Sequence, residues 1–299
     1  MHTLRLMCLV SIFCVFSVSA LAQQTTSTSS PPATSDPQAV ALLQRSLAAL
    51  TGGAPIADVT LTGAARRIAG SDDETGNAAL IGTSAGDSKV ALTLPSGDWT
   101  EIRNHSAVPL PGGVPTLPPN VNVMPVTQTT GIWSSPDGSK HAIAYHNAMT
   151  DATWFFPALT LAKIASSNYV LSYIGLESIE GESALHISVS QQFPQPPNST
   201  GAPTTGMSVS ELMQHLSQMD VYFDPTTALP LVLAFNQHPD SNALMDISVK
   251  IRFSNYQNDG KMAVPLHVQK LLSNSLVLDL QFTNATFNSG PSASTFQLQ

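Results

Sequence analysis

Apolar and polar residues alternate near the C-terminus, with Val277 the one apolar residue on the polar side. Ile247, Val249, Ile251 and Phe253 are separated by Ser248, Lys250 and Arg252. Leu276, Leu278, Leu280 and Phe282 are separated by Val277, Asp279 and Gln281. A period of two puts every second side chain on one face, so each run predicts a strand with a greasy side and a wet side. The same grammar recurs upstream. Val59, Leu61 and Gly63 alternate with threonines, and Val90, Leu92 and Leu94 follow a Gly86-Asp87 turn. Tyr169, Leu171, Tyr173 and Leu185, Ile187, Val189 flank Glu180-Gly181 as a hairpin. Further turns at Gly70 to Asp73, Pro95 to Asp98, Asp224-Pro225, Pro239-Asp240, Asp259-Gly260 and Asn274-Ser275 separate strands around 58–63, 77–83, 90–94, 99–103, 221–223, 229–235, 246–256, 264–271 and 276–287. The result is an antiparallel meander that needs an apolar cover.

Helical spacing is rarer. Val40, Leu43, Leu47 and Leu50 form one stripe. Asp36 suits the N-cap of that helix, Pro37 its first position and Gly52 its stop. A helical insertion is expected over roughly 140–166, restarting at Pro157, and a short helix near 209–218. Two proline-rich segments, 106–130 and 191–207, resist regular pairing and read as long loops. The fold class is α+β, with an N-terminal helix and a helical insertion covering one face of a large antiparallel sheet.

The first residues change the setting. Arg5, an apolar run from Leu6 to Ala20 and the Ala20-Leu21-Ala22 site read as an export signal cleaved after Ala22, placing the mature chain in the periplasm. The apolar run is shorter than the roughly 20 residues of a spanning helix, so no transmembrane segment is expected in the mature chain. Cleavage removes Cys8 and Cys14, and with them disulfide and thiolate chemistry. Phe13 before Cys14 speaks against lipid attachment there. Residues 23–35 form a low-complexity spacer. The expected organisation is therefore 1–22 signal, 23–35 spacer and 36–299 one domain. The net charge is −8, and losing Arg5 makes it one unit more negative. That argues against nucleic acid as a partner.

The stretches LSYIGLESIEGESALHISV, DVYFDPTTALPLVL and VKIRFSNYQNDGKMAVPLHVQKLLSNSLVLDLQFTNATFN carry a resemblance. In turn chemistry and element order they are similar to the LolA/LolB-like outer-membrane lipoprotein-sorting family. That resemblance implies a curved antiparallel half-barrel whose open side is plugged by helices. It also implies a periplasmic carrier with a hydrophobic concavity for a lipid or lipoprotein acyl group. No ligand-contacting residue of the family maps onto a particular position here, and the proline-rich segments depart from the family pattern.

Candidate chemistry is sparse. Gly82-Thr83-Ser84-Ala85-Gly86 matches the nucleophile-elbow pattern, but a strand is predicted after Ser84 where that mechanism needs a helix. A serine hydrolase is the least favoured reading. His141 and His146 are five apart, which does not align them on one helical face, and no histidine sits in a metal-binding frame. Ligands converging from distant strands stay open. Ser71-Asp72-Asp73-Glu74 is contiguous, unlike the alternating acceptors of a calcium loop. Trp154-Phe155-Phe156 cannot all face one core from one helix, so at least one is expected exposed, wedged under a loop or lining a cavity. The reading is a non-catalytic carrier with no cofactor and no metal. Its hydrophobic ligand would meet Trp154, Phe155, Phe156, Ile251, Phe253, Leu280 and Phe282. The alternative is a structural or sensory envelope module of the same fold that fills the concavity itself. The sequence leaves the oligomeric state open.

Overall fold

The computed structural model describes residues 34–107, 127–150, 152–166, 168–192 and 209–298. The expected signal segment, its cleavage site, all but the end of the spacer and most of both proline-rich segments lie outside these residues.

The first helix, α1 (Pro37–Thr51), is bounded as its sequence predicts. The Asp36 carboxylate accepts from the Gln38 amide at 2.7 Å, and Gly52 closes the helix in the left-handed region with φ 56°. Its buried face is rotated from the expected stripe. Ala39, Leu42, Leu43, Ser46 and Leu50 are buried, whereas Val40 is exposed. Ala39 and Ser46 are small enough to sit under the helix, and hydrophobicity alone did not mark them.

Thirteen strands follow: β1 (Asp58–Ala69), β2 (Asp72–Thr83), β3 (Ser88–Leu94), β4 (Gly97–Ala107), β5 (Thr127–Ser134), β6 (Lys140–Ala142), β7 (Tyr169–Ile179), β8 (Glu182–Gln191), β9 (Met219–Phe223), β10 (Pro230–Gln237), β11 (Ile247–Asp259), β12 (Met262–Leu272) and β13 (Ser275–Phe287). They form one sheet in the order 6-5-4-3-2-1-13-12-11-10-9-8-7, and every neighbouring pair is antiparallel. The sheet is curved and unclosed, a half-barrel with β6 and β7 at its edges. Helices α2 (Pro157–Ser166) and α3 (Val209–Leu216) interrupt the meander.

Two expectations change. Residues 140–166 are not one helical region. Lys140–Ala142 is a strand paired with β5, Tyr145–Asn147 is a single 3-10 turn, and the α-helix spans only Pro157–Ser166. In addition, the expected loop over 106–130 is trimmed at both ends, since β4 runs on to Ala107 and β5 begins at Thr127. The segment Thr-Gln-Thr-Thr-Gly-Ile-Trp-Ser has no proline and is rich in strand-forming residues, so it can pair once past Pro125.

The seam at the middle of the sheet joins the chain's two ends. β1 and β13 pair from Val59 opposite Phe287 to Arg67 opposite Leu278, with a bulge after Thr62. At the bulge a Cβ on Gly63 would lie 2.0 Å from the Gln281 carbonyl oxygen, so only glycine permits this approach. Inner rows then cross the seam. Ala65, Leu280, Val268 and Phe253 are successive neighbours, and so are Arg67, Leu278, Lys270 and Ile251. The apolar members of these rows pack in one core with α1, α2 and Trp154 to Phe156.

The outer face is not simply wet. His186 is nearly buried there, with Nδ1 2.9 Å from Glu177 and Nε2 3.0 Å from Asp220, and it stacks on Tyr222 at 4.2 Å. Burial opposes charge on this imidazole, but the Asp220 and then the Glu177 carboxylates outweigh it and raise its pKa. A raised folded value gives stability that is full below the unfolded value of about 6.5 and lost as pH rises through the folded one. His186→Gln is therefore expected to lower Tm more at about pH 5.5 than at about pH 8.5 in thermal melts. Equal losses at both would refute the assignment. In the core, Phe155→Ser should cost about 3–5 kcal/mol or more, read by denaturant unfolding, because a wholly buried ring leaves a cavity and a polar group.

Candidate functional site

Strand periodicity brings charge onto the inner face. In β4, Trp99, Glu101 and Arg103 share one side, opposite Leu92, Val90 and Ser88 of β3. Trp133 of β5 stands across from Glu101. On the other wing, Lys270 shares the face of Val268 and lies between Ile251 and Leu278. Arg67 completes that row from β1. Arg67, Trp99, Glu101, Arg103, Trp133 and Lys270 line a pocket of about 380 Å³, whose remaining wall comes from Ala142 to Ala144, Asn147, Leu272 and the residues that end β10 and begin β11. That volume falls within the range of small-molecule sites.

The charges are unevenly matched. Arg103 is only 3% exposed; its Nε donates to Glu101 Oε1 at 2.8 Å and its Nη1 to the Asn147 carbonyl at 3.1 Å. Burial alone would push the Glu101 carboxyl up, but Arg103 and then Lys270 outweigh burial and hold it below the ordinary carboxylate value. Burial pulls the Lys270 ammonium down, and Glu101 offsets this only in part while Arg103 adds to it. Lys270 forms no ion pair among the described residues. Its Nζ instead sits 5.0 Å from the centre of the Trp154 ring, a cation–π contact. Arg67, Arg103 and Lys270 thus face Glu101 and Asp240 around one cavity.

The residues singled out from sequence are brought together, but in the core. Trp154, Phe155 and Phe156 lie in a turn ahead of Pro157 rather than on a helix, which lets successive rings diverge. All three are at most 2% exposed. Trp154 and Phe155 meet edge to face at 5.6 Å, and Phe156 contacts Phe287 at 6.0 Å. Ile251, Phe253, Leu280 and Phe282 are buried in the same cluster. Ser84 lies in the exposed turn between β2 and β3. Thr83 and Asp87 close that turn through a 2.9 Å backbone hydrogen bond, and a strand follows. The helix that would support an elbow oxyanion is not there. The acidic run splits by strand alternation: Asp73 pairs with Arg66 at 2.6 Å, and Glu74 accepts from the Ser96 amide and hydroxyl. His141 stacks on Trp133 at 4.1 Å, whereas His146 turns towards the Pro239 carbonyl at 3.1 Å.

Sequence reasoning passed over Arg67, Glu101, Arg103 and Lys270. A readable signal existed. Lys270 keeps step with Val268, and Glu101 and Arg103 keep step with Trp99, so period-two counting puts charge on an apolar face.

No protein-family model matches the chain, and no curated protein matches it. Among solved structures it is similar to a LolA superfamily protein from Nitrosomonas europaea, at 12% identity, covering 87% of this chain and 97% of that one, with a TM-score of 0.48. It is also similar to a DUF1329 family protein from Desulfovibrio piger, at 9% identity, covering 87% and 96% of the two chains, with a TM-score of 0.47. Such low identities and TM-scores leave the function to be read from the chain's own residues.

Proposed function

We propose that the protein is an exported, non-catalytic carrier of an amphipathic anion, a lipid or acyl group bearing a carboxylate or phosphate. The observation that carries this reading is Lys270. Its ammonium stands on the apolar face, burial disfavours its charge, and no carboxylate ion-pairs with it among the described residues. A half-buried cation that Glu101 compensates only in part is costly, and an anionic headgroup in the pocket would relieve that cost. Trp99, Trp133, Ile143, Ile247 and Leu272 supply apolar wall for the start of a chain. Trp154, touching both Lys270 and Phe155, is the proposed link from the headgroup towards Phe253, Leu280 and Phe282.

A second reading has its own support. The inner face is packed by the chain's own helices and aromatics, as a protein-binding envelope module with a self-filled concavity would be. Native mass spectrometry of protein purified from the periplasm separates the two, because co-purifying lipid favours the carrier and a clean apo mass favours the module.

The carrier reading predicts that a fluorescent fatty acid binds the purified protein. Lys270→Met should weaken that binding about tenfold or more while leaving an uncharged fatty alcohol unaffected, since a charge-assisted contact is worth about 1.5–3 kcal/mol. Methionine keeps the length and apolar stem, so the fold should survive. Equal fatty-acid affinity in wild type and variant would overturn the reading.

A further inference from the structure

Two histidines and an aspartate from separate parts of the chain converge beside the pocket. His215 comes from the last turn of α3, His238 follows β10, and Asp246 immediately precedes β11. His215 Nε2 lies 3.1 Å and His238 Nδ1 3.4 Å from the same Asp246 oxygen. The three ligand atoms all fall within 4.8 Å of one another. His146 stands edge-on to His238, with ring centres 5.9 Å apart.

We propose that His215, His238 and Asp246 form a binding site for a divalent transition-metal ion of the zinc class. A tetrahedral zinc ion with bonds near 2.0–2.1 Å has ligand atoms roughly 3.3 Å apart. Two of the three edges already have that length, and the third is no longer than 4.8 Å. The His238 Nδ1 must exchange its 3.2 Å contact with the Met245 carbonyl for the ion, its proton moving to Nε2. Two imidazoles and one carboxylate suit zinc and its borderline neighbours better than calcium or magnesium, which take oxygen. Three protein ligands leave a fourth position for water, the arrangement of an open site.

The surroundings hold the set in place. His238 is the buried anchor, with its side chain 1% exposed. The Asn147 side chain clamps its backbone from both sides, accepting from the His238 amide at 2.8 Å and donating to its carbonyl at 2.7 Å. Outer contacts of this kind fix a ligand before the ion arrives. Asp246 is 46% and His215 26% exposed, which leaves an entry path from solvent. Bound ion would tie α3 to the β10–β11 connection.

The test is a titration of EDTA-stripped purified protein with zinc by calorimetry, and with cobalt by visible absorption. One ion per chain is expected, with the absorption bands of tetrahedral cobalt and no thiolate charge-transfer band. Outer-shell partners are worth about 10–100-fold in affinity, so loss of a ligand in His215→Gln or Asp246→Asn should cost at least about 100-fold. Both positions are partly exposed, and circular dichroism should report a wild-type fold. His267→Gln, a histidine bonded to Asp279 elsewhere on the sheet, should bind as wild type does. Absence of stoichiometric binding overturns the proposal, as does equal affinity in the His215 and Asp246 variants. Neither result bears on the fatty-acid measurement at Lys270.

Discussion

The antiparallel pairing of the first strand with the last is the constraint on which the molecule depends. It places both ends of the meander at the centre of the sheet and leaves β6 and β7 as the edges. Asp58 secures it. Its buried carboxylate accepts from the Ser289 amide and hydroxyl at 2.8 and 2.9 Å and from the Gly290 amide at 3.0 Å, while its carbonyl accepts from the Asn288 amide. Contacts so distant in sequence require a long loop to close before they contribute, which makes such topologies slow to fold. Once formed, the seam aligns inner rows from both wings into a single apolar surface.

That alignment also explains the pocket. Arg67, Lys270, Glu101 and Arg103 belong to wings far apart in the chain, and each alone would be a charged residue at an unsuitable position. The curved sheet brings both wings to one cavity. There Arg103 and Glu101 neutralise one another, and the Lys270 ammonium rests on Trp154. Replacing such groups with apolar residues often stabilises a fold, so a buried, partly matched charge set is poor evidence for stability and better evidence for use.

Legibility varied with the range of the interactions. The hairpins were readable because alternation and turn residues are local. Glu180-Gly181 adopt the positive φ angles that their turn requires, while the turn expected at Asn274-Ser275 falls one residue earlier, with Ser273 and Asn274 at positive φ and Ser275 opening β13. The cap of α1 was equally local. The rotation of α1 was not, because small residues rather than large ones sit against its neighbours. The extent of helix around 140–166 is not readable locally, since β6 exists only by pairing with β5. One helix cannot bury all three aromatics of Trp154 to Phe156. A turn before Pro157 removes the difficulty by aiming successive rings in different directions.

By itself the sequence determined the strand periods, the turn positions, the limits of α1 and the antiparallel class. Each follows from the chemistry of residues a few positions apart. Only the tertiary structure decided which strands meet at the seam, how the helices cover the inner face, and which charges share a cavity. It alone brought His215, His238 and Asp246 together. Those outcomes depend on pairings between distant segments, whose energies are set by the register of the whole sheet and cannot be summed from local preferences.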